Sequence, residues 1–261
     1  MNDYEWNVPY NDIIGYLKVC EESSKNQEKF NNFKQEPLYK PILEHISKEE
    51  SDLFISEMKN VHSITEDELS LFKENDIYGN PEIQKYGFFG EISPSTIRYI
   101  KNTLDIRDYF GNDIKNIVEI GGGYGGLCKT MQVLFDFDNY ILIDLPEVNM
   151  LSKKYLSNFE ILLNKVDQYS PDQISSIENT DLVISNYAFS ECDMKLQKFY
   201  YDKIIANAKC FYMVYNNIAP YNMNSNKFKE YCSKDFDLFV EEEIRPTHTN
   251  YIFYGRKKEK K

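Results

Sequence analysis

The chain is poor in the residue types on which several functions depend. Its five cysteines, Cys20, Cys128, Cys192, Cys210 and Cys232, are dispersed and form no C-x-x-C pair. That argues against a zinc ribbon or a dithiol redox motif, and an odd, scattered set reads as reduced cytoplasmic thiols. Histidine is scarcer still, with only His45, His62 and His248, and no Asp/His cluster has metal-ligand spacing, so no metal is expected. No apolar run approaches the roughly 20 residues that span a bilayer. The opening stretch MNDYEWNVPYND lacks the basic-then-apolar pattern of a signal peptide, so a cytoplasmic location is expected. Positive charge is in the minority: 30 Lys and Arg against 42 Asp and Glu give a net charge of −12. Phosphate backbones are bound by Lys and Arg clusters, so a nucleic-acid partner is not expected, whereas a cationic ligand is compatible.

What the chain has in quantity is aromatic residues, 21 Tyr and 17 Phe in 261 residues. They must line cores, clefts or interfaces, and a homodimer interface is one place for them. The length suits one core plus a smaller cap. Residues 1–105 are polar and read as mainly helical, a cap that selects substrate. Leu53, Phe54 and Met58 fall at helical spacing there. The stretch 73–91, with Gly79-Asn80-Pro81 and Gly87 among Tyr78, Tyr86, Phe88 and Phe89, reads as an ordered aromatic loop. Ser93-Pro94 is an N-cap followed by a first-turn proline, and Ile97, Ile100 and Leu104 share the next helix face.

From residue 106 to 255 the grammar changes to strands alternating with helices. Strands read at Ile117–Ile120, Tyr140–Asp144, within 159–167, at Leu182–Asn186 and at Cys210–Tyr215. Phe236–Ile244 and Asn250–Tyr254 are separated by too few residues for a helical crossover, so that pair must be antiparallel. The predicted fold class is therefore α/β: a doubly wound, mainly parallel seven-stranded sheet with an antiparallel C-terminal hairpin, plus an N-terminal helical cap. Residues 256–261 read as a basic tail.

The chemistry concentrates after the strands. Glu119-Ile120-Gly121-Gly122-Gly123-Tyr124-Gly125-Gly126 is a glycine loop between a buried strand and a helix N-terminus. Such loops serve NAD and FAD as well, but an acid two residues before the first glycine favours S-adenosylmethionine (SAM) over a dinucleotide. Glu119 would orient the loop or reach the ligand ammonium through water; the plainer reading is a carboxylate that caps loop amides. Gly126 reads as a close-packing position. Asp144 ends the second strand 23 residues after Gly121, where a carboxylate accepts hydrogen bonds from ribose hydroxyls, with Leu145 beside it. Asp167 and Gln168 fall where an adenine amino group is held, or form an ordinary turn. Asn186 and Tyr187, at the carboxyl end of the fourth strand, should lie beside the transferring methyl. Glu191 faces the acceptor or simply begins a helix.

At these residues the chain resembles bacterial proteins predicted to be sugar O-methyltransferases, within the SAM-dependent class I methyltransferases. The likeness rests on Ile92–Tyr99, Val118–Gly126, Ile143–Glu147, Ile184–Glu191 and Asn250-Tyr251-Ile252 before Gly255, covering about residues 78 to 255. It implies SAM as donor, S-adenosylhomocysteine (SAH) as product, and a small-molecule O-linked acceptor: a sugar, a nucleotide-sugar or a phosphorylated precursor in surface-polysaccharide synthesis. It also brings forward Arg98 and Tyr99, with Tyr86, as groups facing the cofactor carboxylate or an anionic acceptor. The plain alternative for Arg98 is an ion pair between the two halves.

Methyl transfer needs alignment, exclusion of water and removal of the acceptor proton. Glu191 and His248, the latter in the hairpin turn, are the candidate bases, with His45 and His62 read as structural. A phosphate or phosphoramidate oxygen would need no strong base, and would suit Arg98. The rival readings are an NAD-dependent oxidoreductase, which the terminal hairpin and Glu119 oppose, and an inactive methyltransferase-like scaffold.

Overall fold

The computed structural model describes residues 10–217, 223–246 and 249–259. The chain begins with helices α1 (Tyr10–Lys25), α2 (Gln27–Asn32), α3 (Lys40–Leu43), α4 (Lys48–Glu57) and α5 (Glu66–Lys73). Capping boxes start α4 (Ser47 with Glu50) and α5 (Thr65 with Glu68), satisfying amides that a helix start leaves open. Strands β1 (Gln84–Tyr86) and β2 (Gly90–Ile92) then form a small antiparallel hairpin, so the aromatic stretch read as a loop is partly sheet. Helix α6 (Pro94–Phe110) follows, with the Ser93 hydroxyl accepting from the Thr96 amide at 3.1 Å. Its Ile97, Ile100 and Leu104 share a core with Phe54, Met58, Phe72 and Phe89.

The remaining elements are β3 (Asn116–Ile120), α7 (Gly126–Leu134), β4 (Asn139–Ile143), α8 (Pro146–Leu156), β5 (Val166–Tyr169), β6 (Leu182–Asn186), α9 (Ala188–Glu191), α10 (Met194–Lys203), β7 (Cys210–Tyr215), α11 (Ser225–Cys232), β8 (Phe236–Ile244) and β9 (Thr249–Lys257). They build a seven-stranded sheet of order β5-β4-β3-β6-β7-β9-β8. The first five strands in that order are parallel, while β9 runs antiparallel to both β7 and β8. The predicted fold class is what the structure has. Alternate residues of each strand feed two cores, so Val118 and Ile120 pack on one face and Ile117 on the other.

Several boundaries differ from the sequence reading. The division at 105/106 falls inside α6, which packs against both α4 and α7. The third strand starts only at Val166, because Glu160–Leu162 takes a 3-10 turn that buries Leu162. Helix α11 was not anticipated, since SNKFKEYC carries only Phe228 as an obvious apolar anchor. Arg256 and Lys257 belong to β9 rather than to a tail.

The N-terminal helices are joined to the sheet through buried polar contacts. Asn75 donates to Thr96 Oγ1 at 2.7 Å and to Tyr124 Oη at 3.0 Å, and its Oδ1 accepts from the Tyr155 hydroxyl at 2.7 Å. Lys34, almost fully buried, donates to the Asn75 carbonyl and lies 4.4 Å from the Tyr124 ring centre. Among the described residues, no helix is long and apolar enough to cross a membrane. All five cysteines are free and buried.

Candidate functional site

Register decides where the ligand-facing groups meet. Ile120 pairs with Ile143, so β3 and β4 end level, and the glycine loop emerges beside Asp144. Gly121 sits at φ +78°, a region L side chains avoid, and a Cβ there would stand 2.0 Å from the Ala188 Cβ. The Gly121 amide donates to the Ile143 carbonyl at 2.8 Å. The Asp144 carboxylate accepts from the amides of Gly123 (2.9 Å) and Leu145 (2.7 Å), which ties the loop to the end of β4. A carboxylate offers about four acceptor positions, so capacity remains for a ligand. Burial pushes the Asp144 pKa up to about 6 against the opposing pull of those two amides. Glu119 is held by the Tyr140 hydroxyl at 2.8 Å, and burial pushes its pKa up to about 8. Gly126 is the packing position expected: a Cβ would meet the Tyr99 ring at 2.5 Å.

These groups open onto a cavity of about 400 Å³, within the usual range for small-molecule sites. Of the residues singled out from sequence, Glu119, Gly121, Gly122, Gly123, Asp144, Leu145, Asn186, Tyr187, Glu191, Arg98 and Tyr99 line it. Four do not. Tyr124 points into the aromatic core, its ring 4.8 Å from that of Tyr155, because its hydroxyl is taken by Asn75. Asp167 and Gln168 lie within β5, the outermost strand, rather than at the cavity. Tyr86 packs below α6, its hydroxyl 2.5 Å from Ser51 Oγ. His248 lies outside the described residues.

The far side of the cavity is made by side chains from α4, β6, β8 and β9. Tyr187 follows β6 at φ +69°, a strained conformation for a bulky residue, held by its amide donating to the Val214 carbonyl at 2.8 Å. Its hydroxyl donates to Glu243 Oε2 at 2.9 Å. The same oxygen accepts from Arg245 Nε at 3.1 Å and Asn250 Nδ2 at 2.8 Å, and Arg245 also donates to the Tyr187 hydroxyl. Glu191 accepts from Asn216 Nδ2 at 2.8 Å.

Several buried polar atoms in this wall have no hydrogen-bond partner: both amide atoms of Asn186, Arg98 Nε, Arg245 Nη1 and Asn250 Oδ1. Unsatisfied buried groups cost about 1–3 kcal/mol each, so their clustering at one cavity marks a place where a ligand supplies the missing partners.

Sequence reasoning missed His45, Glu50, Arg245 and Asn250 in this lining. Asn250 was quoted only as part of a matching stretch, and Arg245 only as a turn residue. His45 carried no signal at all, since it lies in the loop between α3 and α4, far along the chain from the glycine loop and Asp144. His45 is exposed at the cavity, and partial desolvation with the charges of Arg98 and Arg245 lowers its pKa. Among the described residues no group of three or more His, Cys, Asp or Glu side chains is placed to hold a metal ion.

No protein-family model and no curated protein matches the chain. Solved structures do. The protein PH1948 of Pyrococcus horikoshii, proposed to be an RNA methyltransferase, superposes with a TM-score of 0.51 at 12% identity, covering 74% of this chain and 99% of that one. Magnesium protoporphyrin IX methyltransferase (ChlM) from Synechocystis PCC 6803, with SAM bound, gives 0.49 at 8% identity, covering 62% of this chain and 81% of its own. TrmK from M. capricolum, with SAH, gives 0.46 at 11% identity over 67% of this chain and 70% of its own. At these identities the likeness is one of fold. The sheet order and terminal hairpin described above are those of the class I methyltransferase fold.

Proposed function

We propose that this protein is a SAM-dependent O-methyltransferase acting on a small-molecule acceptor, a sugar or nucleotide-sugar. The observation that carries the reading is Asp144, level with the glycine loop and bound to it, at the mouth of a cavity with unpartnered polar atoms on its opposite wall. When bound, SAM supplies a sulfonium-activated methyl group: the acceptor oxygen takes the methyl as the carbon–sulfur bond breaks, SAH is left, and the acceptor hydroxyl loses a proton.

The chain's own residues divide the work. Asp144 would accept the ribose hydroxyls, with Leu145 beside it and the Gly121–Gly123 backbone facing the amino-acid portion. Glu119 would favour the ligand ammonium, which in turn would draw its pKa down. Asn186 and Tyr187 would border the reacting centre, and Tyr187 is fixed there by Glu243 and Arg245. Glu191 and His45 both line the cavity, and His45 is the base we favour, because its imidazole is exposed to the cavity whereas the Glu191 carboxylate is engaged by Asn216. The resemblance in the sequence motifs supports the sugar-type acceptor, and the helical segment before α6 supplies His45 and Glu50 to the acceptor side.

Calorimetric titration with SAM, SAH and NAD tests the reading. Micromolar binding of SAM and SAH is expected, weakened about 100-fold in Asp144→Ala, because two hydrogen bonds to a charged acceptor contribute about 3 kcal/mol. Absence of heat and of thermal shift with SAM and SAH would overturn it. Stabilisation by NAD instead would point to the oxidoreductase.

A further inference from the structure

Arg98 and Arg245 are the two buried cations of the cavity, and both approach one aromatic ring. The Arg98 guanidinium carbon is 5.8 Å from the centre of the Tyr187 ring, and that of Arg245 is 6.0 Å from it. Both residues are more than nine-tenths buried, and each keeps a guanidinium nitrogen without a hydrogen-bond partner, Nε in Arg98 and Nη1 in Arg245.

Their surroundings differ. Arg98 touches Tyr99, Tyr187 and, at 3.5 Å, the Leu43 carbonyl; no ion pair to a described carboxylate is formed. Glu44, the acid that acts on it, is half-buried, and desolvation raises its pKa. Arg245 is held from behind by Glu243 and rests on the Phe54 ring at 4.1 Å. Its Nη1 forms an ion pair with Glu50 Oε1 at 3.5 Å without a hydrogen bond, and Glu50 Oε2 accepts from the Ser47 amide. Arg98 is thus a buried charge without an ion pair, which costs several kcal/mol, and a planar fork with an open N–H group, kept by both arginines, matches a carboxylate or phosphate.

We propose that Arg98 and Arg245, with Asn250 beside them, form a clamp for an anionic oxygen group, a carboxylate or a phosphate, on the acceptor. This deepens the methyl-transfer reading and rests on it. The position favours acceptor over cofactor. Asp144 ends β4, whereas Asn250 lies in β9, four strands away in the sheet order, roughly 19 Å at ordinary strand spacing. Arg245 and Asn250 also stand on the hairpin, with Arg245 resting on Phe54 of α4 and Asn250 bonded to Glu243. The clamp adds no chemical step of its own. It fixes the acceptor and, by offsetting two positive charges, removes part of what suppresses the basicity of His45; Glu50 is the other charged group acting on that imidazole.

The test uses the whole protein saturated with SAH, with glucuronate, glucose 1-phosphate and neutral glucose as probes at constant ionic strength. We expect at least one anionic probe to bind at least tenfold more tightly than glucose. Which of the two does so separates carboxylate from phosphate. In Arg98→Gln and Arg245→Gln that preference should vanish, while the SAH affinity changes less than threefold. Arg245→Lys, which keeps the charge but not the fork, should retain part of it and guards against a variant that fails to fold. Equal binding of all three probes overturns the clamp. So does a tenfold loss of SAH affinity in Arg98→Gln with anion preference intact, which would place Arg98 on the cofactor carboxylate. If SAH itself does not bind, the methyl-transfer reading fails first, and anion binding by the SAH-free protein reports separately on the arginines.

Discussion

The two ends of the cavity are built in different ways. The end at β3 and β4 is made of backbone: glycines, two amides and one carboxylate whose bonds close among themselves within 27 residues of chain, from Glu119 to Leu145. The end at Tyr187 is made of side chains drawn from α4, α6, β6, β8 and β9, and polar atoms there remain open. A backbone cradle binds what every member of a fold must bind, because glycine geometry leaves little room for variation. A side-chain wall can be rewritten residue by residue, and so it carries selectivity.

That contrast can be broken most severely at the cradle. In Gly121→Ala the methyl would meet Ala188 in a left-handed backbone, costing about 2–4 kcal/mol from strain and overpacking. We expect scanning calorimetry to show a melting temperature lower by roughly 10 °C, with loss of SAH binding. Changes in the wall should spare the fold and strike turnover instead. His45→Gln is expected to lower kcat by about 100-fold at unchanged SAH affinity. Glu191→Gln, whose carboxylate is already engaged by Asn216, should lower it less than tenfold. Reversal of that order in steady-state kinetics would transfer the proton to Glu191.

A further prediction concerns the pH dependence of stability. Glu119 has a folded pKa near 8, above its unfolded value of about 4.3. Between those values the native state holds a proton that the unfolded state has released, so stability falls as pH rises through the window. The slope approaches about 1.4 kcal/mol per pH unit for one linked proton. Asp144 acts in the same direction between about 4 and 6. Glu119→Gln should flatten the curve between pH 5 and 8, measured by urea denaturation in the absence of ligand; an unchanged slope would mean Glu119 is ionised in the folded protein. SAM favours ionised Asp144, so its affinity should decline below pH 6.

The same contrast explains what could be read from sequence. Strands β3, β4, β6 and β7 are short buried runs bounded by turn signals, and their alternation with helices gives a mainly parallel sheet. The glycine loop and Asp144 could be found because their partners are near in sequence and their spacing is set by one strand–helix–strand unit. Arg245, Asn250, Glu50 and His45 could not, because nothing local distinguishes them from ordinary turn and helix residues. Only the hairpin folding back over Tyr187 gives them a common wall. Tyr124 misled for a related reason: its position inside the loop suggested a ligand contact, whereas the buried Asn75 claims its hydroxyl.

Asn75 has a consequence for how the molecule comes apart. It lies before the sheet begins, yet the hydroxyls of Tyr124 and Tyr155 depend on it, and Lys34 depends on its carbonyl. Melting the early helices would strand phenols inside the sheet's own core, and melting the sheet would strand a lysine among the helices. Each half therefore leaves buried polar groups open without the other, a coupling that favours their unfolding together.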